Sequence, residues 1–208
     1  MRPRNHTATL LIMFFFTTPS CIGQISTGIK AGINFSDIKG KGNREYNKAK
    51  TGFHAGIMST ISLNKKLYVN PEILYSAKGA EFSATQIVNR GKLKLDYLSI
   101  PILLGVKSGK NFSFLIGPEI GILLSAKSEI DGKEYDFKDA FEKADIGINI
   151  GVRLDFSKRV GMEARYSHGI SDTGVMQYID GMGQLVRRDE EGGNRVFQVC
   201  LFCFFYSK

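Results

Sequence analysis

The amino-acid sequence predicts an all-β protein, an eight-stranded antiparallel up-and-down transmembrane β-barrel with a closed lumen and long extracellular loops. Three observations predict this fold. Apolar and polar residues alternate along eight segments, as in strands whose two faces meet different surroundings. The segments are about 10 to 15 residues long, whereas strands of globular proteins average about 5–6 residues and a tilted strand needs about 9–11 residues to cross a bilayer. Long loops and tight turns alternate between the segments, which is typical of transmembrane barrels.

The eight predicted strands are residues 27–36, 52–63, 67–78, 93–107, 112–126, 145–156, 160–170 and 195–205. The sixth strand, DIGINIGVRLDF, places Ile146 and Ile148 on one face and Asp145 and Arg153 on the other. In a membrane barrel the isoleucines face lipid, and the charged side chains face an enclosed polar lumen. The fourth strand is apolar on both faces, which predicts a β-bulge that breaks its alternation.

The connections define the two ends of the barrel. Long loops are predicted at 37–51, 79–92, 127–144 and 171–194, and tight turns at 64–66, 108–110 and 157–159. With both chain ends in the periplasm, the turns lie on the periplasmic side and the loops outside the cell. Outward-facing aromatic residues then form two belts at the membrane–water interfaces. The outer belt comprises Phe35, Phe53, Tyr75, Tyr166 and Phe197, and the inner belt comprises Phe112, Phe156 and Phe205.

The N-terminus has the pattern of a secretory signal. Arg2 and Arg4 form a charged region, and ATLLIMFFF (8–16) forms an apolar region. Small residues then precede a predicted cleavage site between Gly23 and Gln24.

The predicted domain organisation is a signal peptide at 1–23 followed by a β-barrel domain at 24–208. An alternative is a lipoprotein signal, in which Cys21 becomes the lipidated N-terminus of the mature protein. Beyond this segment no apolar run approaches the roughly 18 residues of a membrane-spanning helix.

Charge and cysteine usage narrow the function. The formal net charge of +8 falls to +6 once Arg2 and Arg4 are removed, and no regularly spaced Lys/Arg stripe is present, which argues against nucleic-acid binding. Cys200 and Cys203 are three positions apart on a predicted strand, so they point to opposite faces. We therefore interpret them as small apolar residues and predict no redox pair, metal site or cofactor.

Charged residues fall on the lumen side of the predicted strands, and six of them are predicted to form a network. An eight-stranded barrel is just wide enough inside for side chains, and an unpaired buried charge is costly, so a network of ion pairs is predicted. Arg153 and Glu163 are each five residues from Lys158, which places them opposite each other as a cross-strand pair. The predicted role is a structural plug; a gated ion path or a proton site is the alternative. The network residues are Lys30, Glu72, Glu119, Arg153, Glu163 and Arg165.

Two histidines leave an enzyme as an alternative. His54 and His168 both fall near the extracellular end, and Ser167, Ser171 and Asp172 lie close to His168 in the sequence. Such a group could support acyl transfer or hydrolysis if the side chains converged. The alternation places His168 on the lipid-facing side, away from His54, so no catalytic residue is predicted.

Two loops carry further features. DFKDAFEKAD (136–145) predicts a short helix with Phe137 and Phe141 on one face. DIKGKGNREYNKAK (37–50) holds five Lys/Arg against two acidic residues, so it could bind lipopolysaccharide phosphates, or its charges could simply be solvated.

Several segments carry a resemblance to a known family. In these segments, above all the Pro-Glu…Tyr-Ser and Tyr-Leu…Ile-Pro elements, the chain resembles the PorT-like outer-membrane β-barrel family of Gram-negative bacteria. The segments are YVNPEILYSAKGA (68–80), LDYLSIPILLGVK (95–107), FLIGPEIGILLSAK (114–127), DFKDAFEKADIGINIGVRLDF (136–156) and ARYSHGISD (164–172). The resemblance implies an eight-stranded barrel in the bacterial outer membrane. One member of that family is linked to a protein-secretion and surface-motility apparatus.

The predicted function is that of a non-enzymatic integral outer-membrane protein. Its role would be structural or interactive, as an accessory to protein secretion or envelope assembly. The alternatives are an outer-leaflet enzyme acting on lipid or peptide, and a narrow ion or solute channel. The expected partners are outer-membrane lipid, lipopolysaccharide, and envelope or secretion proteins.

Overall fold

The computed structural model describes residues 24–40, 48–82, 91–130, 132–136, 138, 141–171, 174–179 and 185–207. The predicted signal peptide and Cys21 lie outside these residues. Within the described part of the chain, no helix is long and apolar enough to cross a membrane. The strands are β1 (Ile25–Gly40), β2 (Lys48–Ser62), β3 (Leu67–Phe82), β4 (Gly91–Lys107), β5 (Phe112–Ile130), β6 (Lys133–Asp136), β7 (Ala144–Asp155), β8 (Val160–Gly169), β9 (Gly174–Ile179) and β10 (Leu185–Ser207).

Eight of these strands close into a barrel. The wall runs in the order β1, β2, β3, β4, β5, β7, β8 and β10, and β10 pairs with β1 to complete the cylinder. All neighbouring strands in the wall are antiparallel. The short strands β6 and β9 pair with β5 and β10. The predicted eight-stranded antiparallel barrel is confirmed, and its closure gives every wall strand a hydrogen-bonded neighbour on both sides.

The two ends of the barrel differ in their connections. At the short-turn end, Asn64 Oδ1 accepts hydrogen bonds from the amides of Lys66 (2.8 Å) and Leu67 (2.9 Å), which closes the β2–β3 turn. The β7–β8 turn is closed by Ser157 Oγ, which accepts from two amides. The β4–β5 turn contains Gly109 with φ of +89°, a conformation that favours glycine. The connections β1–β2, β3–β4, β5–β7 and β8–β10 lie at the opposite end, called here the long-loop end.

The alternation of the strands separates an apolar outer surface from a polar lumen. On β7, Ile146 and Ile150 are 51% and 52% exposed, whereas Asn149 and Arg153 are 1% and 5% exposed. The same division holds on the other wall strands, where isoleucine, leucine, valine and phenylalanine dominate the outer surface. A surface this apolar would be unfavourable in water, but it suits contact with acyl chains.

Aromatic rings lie on the outer surface near each end. Phe35, Phe197 and Tyr166 are successive register partners on β1, β10 and β8, and the rings of Phe35 and Phe197 are 6.5 Å apart. On β2 and β3, the rings of Phe53 and Tyr75 are 5.4 Å apart. Near the short-turn end, Phe156 and Phe205 of the predicted inner belt are exposed. Phe112 is half-buried, with its ring 5.0 Å from that of Phe114, which is the more exposed of the two.

The predicted bulge lies on the neighbouring strand. β4 keeps a strict alternation of burial from Gly91 to Val106, so the prediction of a bulge within it is wrong. The extra residue is on β5, where Asp96 pairs with Ser125 and Tyr97 pairs with Leu123. β4 is apolar on both faces because its inner face fills apolar parts of the lumen.

The predicted helix at 136–145 is formed only in part. Asp136 ends strand β6, and Ala144 begins strand β7, so a helix over the whole segment is not formed. Between these strands Lys138 has 3-10 geometry, and its carbonyl accepts a hydrogen bond from the Phe141 amide at 3.3 Å, so the helical part of the segment is a short turn. Phe137 lies outside the described residues. Phe141 is buried, where it packs with Leu95, Tyr97 and other apolar side chains at the long-loop end.

Candidate functional site: the lumen charge network

Charged side chains meet at the middle of the lumen. The Lys30 ammonium on β1 donates hydrogen bonds to Glu72 on β3 and to Glu163 on β8, and all three side chains are fully buried. β3 and β8 each lie two strands from β1 in the wall, on its two sides. Lys30 therefore joins two carboxylates that come from different sides of the cylinder.

Arg165 spans the full width of the lumen. It projects from β8, and its Nη1 donates to Glu72 Oε2 on β3 at 2.9 Å. Its Nε donates to Gln198 Oε1 at 2.5 Å. An added Cβ at Gly151, its neighbour on β7, would lie 2.5 Å from the Arg165 Cβ, so the glycine makes room for the arginine. Glu72 thus receives both Lys30 and Arg165, and the three groups form one compact cluster.

A second ion pair lies closer to the long-loop end. Lys78 Nζ on β3 donates to Glu119 Oε1 on β5 at 2.8 Å, and Asn149 Nδ2 donates to Glu119 Oε2 at 2.9 Å. Lys78 is absent from the predicted network, although it is the last residue of the third predicted strand and shares the parity of Glu72. In the structure β3 continues to Phe82, so Lys78 lies well within the strand.

Arg153 makes different contacts from those predicted. It is the register partner of Glu163, as expected, but its Nε and Nη2 donate to Asp155 Oδ1 at 2.9 and 2.8 Å. Its guanidinium lies 4.2 Å from the Phe202 ring centroid, and its Nη1 donates to Thr60 Oγ1 at 3.2 Å. The prediction of an Arg153–Glu163 ion pair is wrong. In so narrow a lumen a side chain can reach past the neighbouring strand, so Glu163 on β8 pairs with Lys30 on β1, two strands away, instead.

The ion-paired groups of the lumen balance in charge. The four cations are Lys30, Lys78, Arg153 and Arg165, and the four carboxylates are Glu72, Glu119, Asp155 and Glu163. Neutral polar side chains extend the network: Asn70 donates to Glu72, and Gln198 donates to Asn34. A buried ion pair is tolerated only when its charges are matched and hydrogen-bonded. Here the charges are matched and each ion-paired group has at least one charge-assisted hydrogen bond, whereas Glu163 Oε1 and Arg165 Nη2 have no partner among the described residues.

Apolar layers enclose the charged layer at both ends. The layer at the long-loop end comprises Ile38, Ala80, Leu93, Leu95, Tyr97, Leu123, Ala126 and Phe141. Two clusters lie toward the short-turn end: Met58, Phe202 and Phe204, and Tyr68, Leu103 and Leu115. The central cluster of Lys30, Glu72, Glu163 and Arg165 therefore lies between two apolar layers, where low polarity strengthens each ion pair and makes its loss costly.

The histidines are not brought together. His54 is completely buried in the lumen, and its Nδ1 donates to Asn34 Oδ1 at 2.7 Å. His168 lies on the outer surface, stacked on Tyr166 with ring centroids 6.2 Å apart. Ser167 faces the lumen, and Ser171 Oγ donates to Asp145 Oδ1 at 3.0 Å. Asp172 lies outside the described residues, and those described do not assemble a Ser/His/Asp group.

The described residues form neither a group of metal ligands nor a disulfide. Among them, no three His, Cys, Asp or Glu residues are grouped as metal ligands. Cys200 points into the lumen and Cys203 toward the outer surface, and both are free thiols. This agrees with the predicted opposite orientation of the two cysteines.

Comparison with known proteins identifies related folds. Residues 17–174 match the family described as outer membrane protein beta-barrel domain. Ail, the attachment invasion locus protein of Yersinia pestis, is 14% identical, with a TM-score of 0.51 over 88% of this chain and 99% of Ail. Neisserial surface protein A is 11% identical, with a TM-score of 0.54 over 86% of this chain and 97% of that protein. These two likenesses concern the fold. No curated protein sequence matches the chain.

Proposed function

Because the chain belongs to the family of outer membrane protein β-barrel domains and lies in the bacterial outer membrane, we propose that it is a non-enzymatic barrel with a structural or interaction role in the envelope. The lumen serves as a plug that holds the wall together, and the long-loop end meets partners outside the cell. Residues 1–23 act as the signal peptide, and residues 24–208 form the mature barrel domain.

One observation carries the plug proposal: the Arg165–Glu72 ion pair joins opposite walls of the barrel. Lys30 ties the same carboxylate to a third strand. An ion crossing the lumen would have to displace these matched charges and pass two apolar layers. The arrangement therefore favours a closed barrel over a channel.

Conductance across planar lipid bilayers tests the plug. The purified wild-type protein should show no steady conductance, whereas Arg165→Ala combined with Glu72→Ala should produce openings, because the cross-lumen tie is removed. Lys65→Ala combined with Lys66→Ala, at the exposed short turn, is the matched control and should remain closed. Steady open channels in the wild-type protein would establish the channel alternative instead.

The resemblance to the PorT-like family supports a role beside a secretion or envelope-assembly apparatus. Tyr135 on β6 is 48% exposed at the long-loop end, so a photo-crosslinking residue at this position should capture a neighbouring envelope protein in intact cells. The same residue at Ile148, on the apolar outer surface, is the control and should capture lipid. Absence of a protein adduct at Tyr135, with adducts to lipid at Ile148, would contradict a protein partner at this face.

Lipopolysaccharide is the proposed lipid partner at the long-loop end. The basic segment 37–50 supports this proposal through its charge; residues 41–47 lie outside the described part. Replacing Lys39, Lys41 and Arg44 with glutamine should weaken binding of lipopolysaccharide to the reconstituted barrel. Equal binding by this variant and the wild type would show that the loop charges are merely solvated.

A further inference from the structure

The short-turn end of the barrel holds a cavity of about 510 Å³. Two short turns of the barrel border this cavity. The β4–β5 turn contributes Lys107, Lys110 and Asn111, and the β7–β8 turn contributes Phe156 and Lys158. The size of the cavity is within the range of small-ligand sites. The cavity belongs to neither the central charge cluster nor the long-loop end.

Arg153 forms a fixed positive floor for this cavity. Its guanidinium is held by Asp155 and Thr60 and lies against the rings of Phe202, Phe204 and Tyr68, at 4.2, 5.2 and 5.5 Å from their centroids. Three of its five N–H groups are used in these hydrogen bonds. For the other two, no hydrogen bond to a described residue is found, and Arg153 lines the cavity, so these groups remain available to donate to a bound anion.

The mouth of the cavity adds positive charge. Lys107, Lys110 and Lys158 line it, and within the described ranges none of them has a carboxylate within 4.0 Å. Lys107 Nζ lies over the Tyr68 ring, 5.9 Å from its centroid. The only carboxylate on the described lining is that of Asp155, which Arg153 already neutralises. The cavity therefore carries a net positive charge that an anion would complement.

One residue that lines the cavity also lies on the outer surface of the barrel. Tyr68 and Arg153 belong to the lumen, whereas Phe156 is 56% exposed on the apolar outer side of the wall. In the family topology the short turns lie in the periplasm, at the level of the inner-leaflet headgroups. A phosphate group could thus sit above Arg153 while an attached glyceride lies against Phe156.

From this geometry we propose that the cavity at the periplasmic mouth binds a phosphate group, which comes from an inner-leaflet phospholipid or from a small soluble phosphate. Lys107, Lys110 and Lys158 attract the group, and the Arg153 guanidinium donates to its oxygens. Arginine and lysine are the side chains that bind phosphate oxygens most readily in proteins. The site shares Arg153 and Asp155 with the lumen ion pairs, but it does not involve the Arg165–Glu72 contact on which the plug proposal rests, nor any protein partner.

Two probes distinguish the two sources of phosphate. Glycerol 3-phosphate is titrated into the protein in uncharged detergent, with the NMR signal of Arg153 Nε–H as the readout at the site. Phosphatidylglycerol in phosphatidylcholine nanodiscs is counted on the released protein by native mass spectrometry. If only glycerol 3-phosphate binds saturably, the site is assigned to a soluble phosphate. If only phosphatidylglycerol is retained, the site is assigned to a lipid headgroup. Either result supports the site.

Matched charge variants decide whether the cavity itself binds. Lys107→Gln with Lys158→Gln should weaken binding about tenfold or more, since each lost charge-assisted contact contributes appreciably. Lys65→Gln with Lys66→Gln removes the same charge from a turn that does not line the cavity, and should bind like the wild type. All these lysines are exposed, so folding is retained. Equal loss in both double variants, or no saturable binding of either probe, would overturn the proposal.

Discussion

Arg165 on β8 and Glu72 on β3 lie four strands apart in either direction around the barrel, and they meet across the lumen with Nη1 2.9 Å from Oε2. Glu72 also accepts from Lys30 and Asn70, so one carboxylate joins contributions from β1, β3 and β8. Loss of this carboxylate leaves two buried cations without their shared partner.

Glu72→Gln should lower the free energy of unfolding in detergent or bilayers by about 3 kcal/mol, the usual cost of breaking a buried ion pair from one side. Urea unfolding followed by the loss of β-structure measures the change. Glu129→Gln removes a carboxylate from a partly exposed pair with Lys94 and should cost less than about 1 kcal/mol. Similar losses for the two variants would contradict the central role of Glu72.

Double-mutant cycles should assign the partner of Arg153. The cycle of Arg153→Gln with Asp155→Asn should show a coupling of about 1–2 kcal/mol, because the guanidinium donates twice to that carboxylate. The cycle of Arg153→Gln with Glu163→Gln should be additive within about 0.5 kcal/mol, although the two residues are register partners. A larger coupling energy for Arg153 with Glu163 than with Asp155 would contradict the structure and support the Arg153–Glu163 ion pair predicted from the sequence.

Gly105 makes room for an aromatic ring near the short-turn end. An added Cβ at this position would lie 2.1 Å from the Tyr68 ring, so Gly105→Ala should lower stability by about 1–3 kcal/mol through overpacking. The double variant Gly105→Ala with Tyr68→Val should recover part of that loss. If the alanine costs as much beside valine as beside tyrosine, the ring is not the cause.

The sequence pattern predicts which face of a strand each residue lies on better than it predicts which side chains pair. The two-residue period assigns Lys30, Glu72 and Arg165 to the interior, because alternation is a local property of the chain. The partner of each charge depends on which wall lies opposite after closure, which no local pattern contains. The same limit explains the missed Lys78–Glu119 pair.

Two local errors have related causes. An apolar run on both faces of β4 indicated a bulge, but the inner face is apolar because Leu95, Tyr97 and Leu103 fill the ends of the lumen. A four-residue spacing of phenylalanines indicated a helix over 136–145, but the segment forms only a short 3-10 turn at Lys138, after which Phe141 packs at the long-loop end of the lumen. In both cases the partner surface came from distant strands.

The outer hairpin formed by β5 and β6 should respond to pH. Hydrogen bonds from Lys94 and then Lys127 hold the pKa of Glu134 below its ordinary value. Because the pKa is lowered on folding, this contribution to stability is present above the ordinary value and is lost as the pH falls through the lowered one. A carboxyl NMR titration should show the lowered midpoint, and Lys94→Gln should raise it. An unchanged midpoint in that variant would contradict the contact.

The central claim is that the apolar face of each strand meets lipid while the polar face is enclosed. Single cysteines at the adjacent positions Ile148 and Asn149, in a chain whose Cys200 and Cys203 are replaced by serine, can carry a spin label in bilayers. The label at position 148 should be relaxed strongly by oxygen dissolved in the lipid, and the label at 149 weakly by oxygen and by a water-soluble nickel complex. The claim would be contradicted if the nickel complex strongly relaxed the label at position 148 and dissolved oxygen strongly relaxed the label at position 149.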